Sequence, residues 1–401
     1  MRISTRQLQQ SGIDAILDQQ VQVNRTQMQI STGKKILSAA DDPVASGRIT
    51  GLEQSISMLE QYRENGVQAE NRLRYSESRI AQATEVLNRV RELALQGRND
   101  TQTAETRRSI ATELAHLQSE LLDVANSRDA NGEYLFAGYM TRTQPFAADA
   151  AGGVVYQGDA GSRAVSVGDD RQVVISESGE EIFMRIDNGN GTFVSRPAIT
   201  NAGTGMISTG TLTNSSAYVP AQYRIQFTSA NTYDVINDTD ATTVASGQIY
   251  TDGAAIVVAG MSVSIAGTPA SSDSFILEPS THQDVFATVQ GLIDSFSSSG
   301  TTTAEKTVFQ NGVNRLLEEL DQSQQHMTQS QIRIGTRLQT VSMQDDLNQT
   351  RILQTQEALS AIQDLDYASA VSELNTRMSV LEAAQQAYVR VQDLTLFNYI
   401  R

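Results

Sequence analysis

The chain of 401 residues contains no cysteine and no tryptophan, and aromatic residues make up only 5% of it. The absence of cysteine excludes disulfides, thiolate metal sites and cysteine nucleophiles together. Histidine is almost absent as well, with three copies at His116, His282 and His326. Few side chains are therefore present whose unperturbed pKa lies near neutral pH.

Positive charge is also scarce, because the chain has 30 lysines and arginines against 46 aspartates and glutamates. Its formal net charge is −16. A nucleic acid or an anionic membrane as partner would need a basic face, so we expect neither. No apolar run approaches the roughly 18 residues of a membrane-spanning helix. The first ten residues (MRISTRQLQQ) lack the apolar core of a secretory signal. If the protein leaves the cell, we expect it to use another export route.

Proline divides the chain into regions of different character. Pro43 stands alone near the amino end, the other five prolines lie between Pro145 and Pro279, and none follows. Because the interior of a helix tolerates proline poorly, the two flanks can be helical and the middle is predicted not to be.

Apolar residues in both flanks recur at heptad spacing, which predicts long helices that pack on each other. The first row comprises Leu52, Leu59, Gly66, Leu73, Ile80, Leu87 and Ala94, and the second comprises Val313, Leu320, Met327, Ile334 and Val341. Because one such helix cannot bury its own apolar row, we expect the two flanks to pair.

The middle of the chain consists of short β-branched runs separated by Gly, Asn, Asp and Ser, which is typical of strands. We predict strands at 173–176, 182–186, 223–227 and 255–258, with a hairpin over 223–236. The predicted fold class is α+β and multidomain: a long coiled-coil-like helical bundle formed by the two flanks, with an inserted all-β domain. The predicted domains are terminal assembly helices (1–40 and 364–401), a helical rod (41–146 and 281–363) and the β insert (147–280).

The adjacent carboxylates Asp41 and Asp42 could mark a metal site, a catalytic pair or the start of a helix. Pro43 follows them, and proline is favoured in the first turn of a helix, where its missing N–H costs nothing. Aspartate is a strong N-cap whose charge suits the positive end of the helix dipole. We interpret the pair as the start of the first rod helix. No nucleotide, hydrolase or calcium motif occurs elsewhere, so we predict no catalytic, metal or cofactor site and no enzyme.

Two motifs at opposite ends of the chain resemble those of the bacterial flagellin family. The residues from Ile30 to Pro43 (ISTGKKILSAADDP) resemble its amino-terminal signature. The residues from Asp364 to Val371 (DLDYASAV), with Asp366 and Tyr367, resemble its carboxyl-terminal motif. A third stretch, 131–138 (NGEYLFAG) with 144–146 (QPF), is similar to the branch that forms the hook–filament junction. The resemblance covers about 1–146 and 282–401 and leaves out the β insert.

This resemblance implies a structural protein of the extracellular bacterial flagellum that joins the hook to the filament. The implied partners are the first hook-associated protein, flagellin, a ring of like subunits and a cytosolic export chaperone. It also implies secretion in an unfolded state through the flagellar type III apparatus. Two alternatives remain. The chain could be filament flagellin itself, because Ala39-Ala40-Asp41-Asp42 is closer to that branch, or a coiled-coil surface adhesin.

Both chain ends are amphipathic and rich in glutamine, and we expect them to carry the contacts between subunits. The predicted assembly residues are Ile13, Leu17, Leu374, Met378, Leu381, Tyr388, Val391 and Leu394. One alternative is a coiled coil closed within the monomer. The other, which we favour, is that the ends are disordered in the free monomer and fold against neighbouring subunits.

Residues 87–96 (LNRVRELALQ) resemble the flagellin stretch that an innate immune receptor recognises, and Arg89 and Leu93 match it in spacing. Because Leu87 and Ala94 also belong to the heptad row, the alternative is that this stretch serves packing alone.

Overall fold

The computed structural model describes residues 5–149, 153–298 and 302–397. Long helices occupy both flanks of the chain, as the proline distribution and the heptad rows predict. Their bounds are α1 Thr5–Thr32, α2 Pro43–Arg98, α3 Ala104–Ala125, α4 Val285–Ser297, α5 Thr303–Gln363 and α6 Tyr367–Phe397.

The middle of the chain is built from short antiparallel strands. They are β1 Phe146–Ala148, β2 Val154–Tyr156, β3 Ala164–Gly168, β4 Arg171–Val174, β5 Ile186–Asp187, β6 Phe193–Pro197, β7 Met206–Ile207, β8 Thr211–Leu212, β9 Tyr223–Ser229, β10 Thr232–Asn237, β11 Thr242–Ile249, β12 Ala255–Val258, β13 Met261–Ala266, β14 Ser274–Pro279 and β15 His282–Gln283. The largest sheet has the order β11-β10-β9-β14-β6. The predicted fold class, helical flanks around an all-β middle, is confirmed.

The chain divides into two compact units. Unit 1 contains residues up to Glu64 and from Gln344 onward, and unit 2 contains Asn65–Met343. In unit 1, α1 lies against α6, and the first part of α2 buries Ile49 and Leu59 while α5 buries Ile352.

In unit 2, α2 and α5 run antiparallel. Asn88 accepts a hydrogen bond from Gln324 at 2.9 Å, and Arg91 forms an ion pair with Asp321 at 2.7 Å. The heptad rows face inward here, because Leu73, Ile80, Leu87 and Ala94 of α2 and all five members of the α5 row are buried in one core. The predicted pairing of the two flanks therefore holds in this unit.

The β region of unit 2 contributes to two separate cores. Side chains from 146–186, including Phe146, Val173 and Phe183, are buried in the same core as the helices. Those from 193–277, including Phe193, Ile225 and Phe275, form a second core of their own. The connecting strands β5 and β15 pair with each other, Asp187 opposite His282. The predicted domain boundaries stay a prediction, but the segment 147–280 does not share one core.

Two local predictions have opposite outcomes. The hairpin is confirmed, since β9 and β10 pair antiparallel. The strand predicted over 182–186 is wrong, because Glu180–Met184 forms a single π-helical turn before β5. Ile182 and Phe183 are both fully buried although they are neighbours in sequence, and a strand would send them to opposite faces. The turn lets Phe183 pack against Phe136 and Phe146, with ring centroids 5.4 and 5.5 Å apart.

Candidate assembly surface

The two family-like motifs meet in unit 1, where the segment between α1 and α2 lies beside the segment between α5 and α6. Lys34 and Asp364 form an antiparallel bridge. The Lys35 N–H donates to the Gln363 carbonyl at 2.8 Å, and the Leu365 N–H donates to the Gly33 carbonyl at 3.0 Å. Residues more than 300 positions apart in sequence therefore share backbone hydrogen bonds, which sequence periodicity does not reveal.

Asp41 and Asp42 have different partners. Asp42 Oδ1 accepts from the Val44 and Ala45 N–H groups at 3.1 and 2.9 Å, as the N-cap of α2. Asp41 instead closes the preceding turn, since its Oδ2 accepts from the Leu37 and Ser38 N–H groups, both at 3.0 Å. These backbone donors, the Leu37 N–H foremost, lower the pKa of the Asp41 carboxyl. The pair is thus one helix cap and one turn anchor.

The carboxyl-terminal motif begins α6 in a similar manner. Asp366 Oδ1 accepts from the Ala368 and Ser369 N–H groups at 3.0 and 3.3 Å, and Oδ2 accepts from the Ser369 hydroxyl at 2.8 Å. The hydroxyl of Ser369, followed by these N–H groups, lowers the pKa of Asp366. Tyr367 lies over Gly33, where an added Cβ would be 2.9 Å from the tyrosine hydroxyl oxygen. Asp364 accepts a hydrogen bond from the Ser360 hydroxyl.

One face of α1, here called the inner face, packs against α6. A Cβ on Gly12 would be 3.0 Å from a ring carbon of Tyr388. Gln19 Nε2 donates to the Arg377 carbonyl at 3.1 Å, and Arg377 Nη1 donates to Gln22 Oε1 at 2.8 Å. Hydrogen bonds therefore join the two helices across this contact. Leu374, Leu381 and Tyr388 are half-buried and recur every seven residues on the side of α6 that carries Arg377.

A second apolar face, here called the outer face, is open to solvent. On α1 it comprises Ile13, Leu17, Val21 and Met28, which are 38, 53, 62 and 58% exposed. On α6 it comprises Val371, Met378 and Val389, which are 45, 47 and 55% exposed. The spacings of 4, 4 and 7 on α1, and of 7 and 11 on α6, place each set along one side of its helix.

The predicted assembly residues therefore divide between the two faces. Ile13, Leu17 and Met378 lie on the outer face, whereas Leu374, Leu381 and Tyr388 lie on the inner side of α6. The side chains of Val391 and Leu394 lie outside the described residues. Val389 was not among the predicted residues, and its spacing of 11 from Met378, three helical turns, is the signal that would have found it.

The two residues of the predicted receptor stretch differ in exposure, and Leu93 is the buried one. Its side chain is 1% exposed within the helical core, as the alternative of a packing role expects. Arg89 is half-exposed, and its guanidinium pairs with Glu113 at 2.7 Å and with Glu92 at 3.0 Å. A receptor contact through this stretch stays a prediction.

The third motif is mostly structural. Tyr134, Leu135, Phe136 and Phe146 are buried, and Asn126 pairs with the Phe146 backbone through both ends of its amide. Arg72 from α2 fixes the turn that precedes the buried residues. Its Nη1 lies 2.7 Å from Asp129 and 3.3 Å from Glu133, and its Nη2 donates to the Tyr134 carbonyl at 3.3 Å.

Among the residues that the structure describes, no group of three or more His, Asp or Glu side chains is placed to hold a metal ion. Within the same residues no helix is both long and apolar enough to span a membrane.

Two family models match the chain. The bacterial flagellin N-terminal helical region matches residues 3–141, and the D2-like domain of flagellar hook-associated protein 1 matches residues 198–279. The second match corresponds to the β domain with its own core. The motifs found in the sequence do not extend into this region, so this match adds to the resemblance.

Individual relatives agree with these models. Flagellar hook-associated protein 3 of Escherichia coli is 29% identical over 183 residues, which is 46% of this chain and 57% of the relative. The match thus spans little more than half the length of that curated relative. The crystal structure of flagellar hook associated protein-3 from Legionella pneumophila is 30% identical, with a TM-score of 0.74 over 78% of this chain and 98% of that one. A structure of the flagellar junction protein from Legionella pneumophila gives 31% identity and a TM-score of 0.67 over 74% and 99%.

The helical flanks, both terminal motifs and the near-complete coverage of solved relatives at about 30% identity all point to one family. This chain belongs to the hook-associated protein 3 branch of the flagellin family.

Proposed function

We propose that this protein is a structural component of the bacterial flagellum that joins the hook to the filament. The relatives named hook-associated protein 3 and flagellar junction protein support this assignment over filament flagellin and over a surface adhesin. The protein performs no catalytic step in this role. Its site of action is the extracellular hook–filament junction, reached by secretion through the flagellar type III apparatus.

The outer face is the observation that carries the proposal. A protein that works as a monomer gains nothing from a row of half-exposed aliphatic side chains along two adjacent helices, whereas a subunit in a tube can bury them. A fully buried leucine contributes about 1.5–3 kcal/mol, and with Leu17 53% exposed roughly half of that is still to be gained. In a ring, each subunit repeats the contribution.

The outer face would contact neighbouring copies of this chain, the first hook-associated protein on one side and flagellin on the other. Before export, the same apolar residues would need covering, which is the task of the cytosolic chaperone. In this structure α1 and α6 pack on each other within one chain, and the expected disorder of both ends in the free monomer stays a prediction. The apolar side chains of the outer face remain half-exposed in this packing, and assembly would bury them.

The experiment is a complementation assay in cells that lack their own copy of this gene. Leu17→Asp and Met378→Asp each place a charge on the outer face, where burial without a partner is costly. We expect both variants to be exported, to keep the wild-type circular-dichroism melt, and to fail to hold filaments on hooks. Ala383→Asp is the control, because Ala383 is exposed but lies five residues, about 140° of helix, away from Met378.

Leu381→Asp tests the inner side of α6 and so distinguishes its role from that of the outer face. Leu381 shares the inner side with Arg377 and Tyr388, so we expect this change to loosen the α1–α6 pair as well as assembly. Normal motility with Leu17→Asp and Met378→Asp together would contradict the outer face as the assembly contact.

We also propose that the β domain with its own core is dispensable for assembly. The chain enters this domain after β5 and leaves it before β15, and these two strands pair with each other, with Asp187 opposite His282. Replacing residues 188–281 by a two-residue Asn-Gly turn should therefore close the chain without strain. We expect the shortened protein to fold and to restore motility.

A longer deletion of 147–280 is the matched control. It removes Phe183 and its neighbours from the helical core, so we expect it to unfold unit 2. A stable short-deletion protein that still fails to attach filaments would show that the β domain takes part in assembly.

A further inference from the structure

The chain contains five Asn-Gly dipeptides, a pairing that is chemically labile. The glycine nitrogen can attack the asparagine side-chain amide carbon, because glycine has no side chain to obstruct the approach and its backbone rotates freely. The reaction needs an asparagine amide that is free to turn toward the next residue. The five are 65–66, 131–132, 188–189, 190–191 and 311–312.

Two of the five are held by turns in the β region. Asn188 donates to the Thr281 hydroxyl at 3.0 Å and accepts from the Thr281 N–H at 2.8 Å. Asn190 donates to the Gly210 carbonyl at 3.2 Å and accepts from the Phe193 N–H at 2.9 Å. Both amides are therefore fixed at their oxygen and nitrogen ends.

Two more lie inside long helices, where the backbone is held by the helical hydrogen bonds. Asn65 in α2 donates to the Ser166 carbonyl at 2.9 Å. Asn311 in α5 is 5% exposed, donates to the Gly205 carbonyl at 3.1 Å and accepts from the Ile207 N–H at 3.2 Å. Attack at either site requires the helix to open first.

Asn131 differs from these four. It is exposed, it lies in a turn outside any helix or sheet, and within the described part of the chain its side-chain amide makes no hydrogen bond. Gly132 is exposed too, has a φ of +78°, and has open space where a Cβ would stand. One backbone hydrogen bond, from the Gly132 N–H to the Asp129 carbonyl at 3.0 Å, restrains the attacking nitrogen.

We propose that Asn131 is a site of spontaneous deamidation in the folded protein, with water as the co-reactant. The Gly132 nitrogen loses its proton to solvent base and bonds to Cγ of Asn131. The C–N bond to the side-chain nitrogen breaks, and that nitrogen takes up a proton and leaves as ammonia. Water then opens the resulting five-membered imide at either carbonyl, which leaves an aspartate or an isoaspartate at position 131.

Deamidation at position 131 would change the turn that Asp129 and its ion pair with Arg72 hold in place. Asp129 Oδ1 accepts from the Asn131 and Glu133 N–H groups at 2.9 and 3.0 Å, and Asp129 Oδ2 is 2.7 Å from Arg72. An isoaspartate adds a carbon to the main chain between these two N–H groups, so both cannot keep their geometry to one carboxylate. An aspartate adds a third negative charge to this turn. Either product should loosen the contact between Arg72 and the turn.

The test is incubation of the purified full-length protein in mildly alkaline buffer, followed by proteolysis and tandem mass spectrometry of all five Asn-Gly peptides. We expect conversion at position 131 to be at least about tenfold faster than at any other site, since an opening free energy of about 1.4 kcal/mol at a protected site slows it tenfold. Isoaspartate is detected by enzymatic methylation of its free carboxyl. The four other sites are internal controls in the same sample.

Two further samples separate the effect of the fold from that of the local sequence. In concentrated urea the selectivity should disappear, because all five dipeptides are then unprotected. Asn131→Gln, whose longer side chain would have to close a six-membered ring, should abolish the methylation signal while the protein keeps its melt. Conversion at position 131 that is no faster than at Asn188 or Asn190 in the folded protein would overturn the proposal, as would selectivity that persists in urea.

Discussion

Replacement of Arg72 by methionine tests whether the turn before the third motif depends on a buried ion pair. The side chains of Arg72 and Asp129 are each 9% exposed, and their charged atoms are 2.7 Å apart. Removing the guanidinium leaves the Asp129 carboxylate buried without its cation, and Glu133 loses one of its two arginines. Breaking a buried pair in this way costs about 3–5 kcal/mol. Burial lowers the pKa of Arg72, yet an arginine stays protonated in proteins, so the lost charge is a full one.

Arg74→Met is the matched control, two residues away on the same helix. Arg74 is 64% exposed and pairs with Glu70, one helical turn earlier, at 2.7 Å. An exposed pair of this kind contributes about 0.3–0.5 kcal/mol. Urea unfolding followed by circular dichroism should therefore show a much lower midpoint for Arg72→Met and nearly the wild-type midpoint for Arg74→Met.

A double-mutant cycle with Asp129→Asn checks the assignment. The asparagine keeps an oxygen for the two backbone N–H groups but removes the charge that Arg72 balances. We expect Arg72→Met to cost about 1–3 kcal/mol less in the Asp129→Asn background than in the wild type. Equal costs in both backgrounds, or similar midpoints for Arg72→Met and Arg74→Met, would refute the buried-pair argument.

Three further changes test single contacts. Gly33→Ala should lower the free energy of unfolding of unit 1 by about 1–2 kcal/mol, because φ is +71° there and the new Cβ would meet the Tyr367 hydroxyl. An unchanged thermal melt would contradict this prediction. Asp42→Ala should cost about 1 kcal/mol through loss of the α2 cap, whereas Asp42→Asn should restore most of it. Burial raises the pKa of Glu318 from 4.5 to about 7, so folding favours its protonated form, and its contribution to stability is lost as pH rises from 4.5 through about 7. In Glu318→Gln the free energy of unfolding should fall by about 1–2 kcal/mol less between pH 4.5 and 7 than in the wild type, after allowance for partial exposure. Urea midpoints measured across this pH range would change equally in both proteins if the assignment were wrong.

Features that depend on neighbours in sequence could be predicted from the sequence. The start of α2 at Pro43 follows from the proline's fixed φ and from the adjacent Asp42, both of which act within one helical turn. The burial of Leu73, Ile80 and Leu87 follows from heptad spacing, because every seventh residue returns to the same helix face. The β9–β10 hairpin follows from two β-branched runs joined by a short polar turn.

Other features depend on which distant segment covers a surface, and these only the tertiary structure decided. Helix α1 has two distinct faces. The sequence alone does not show that α6, more than 300 residues later, covers the face that carries Gly12 and leaves the face that carries Leu17 open to solvent. Leu93 matched a receptor motif in spacing, yet the helical core encloses it.

The β region shows the same limit. Ile182 and Phe183 have the composition of a strand, but both are buried in a single π-helical turn. In that turn Phe183 packs against Phe136 and Phe146, which are distant from it in sequence. Local periodicity fixes which residues can share a face of one element, since it depends on backbone geometry alone. Which face is buried depends on the free energy of contact with segments that the periodicity does not encode.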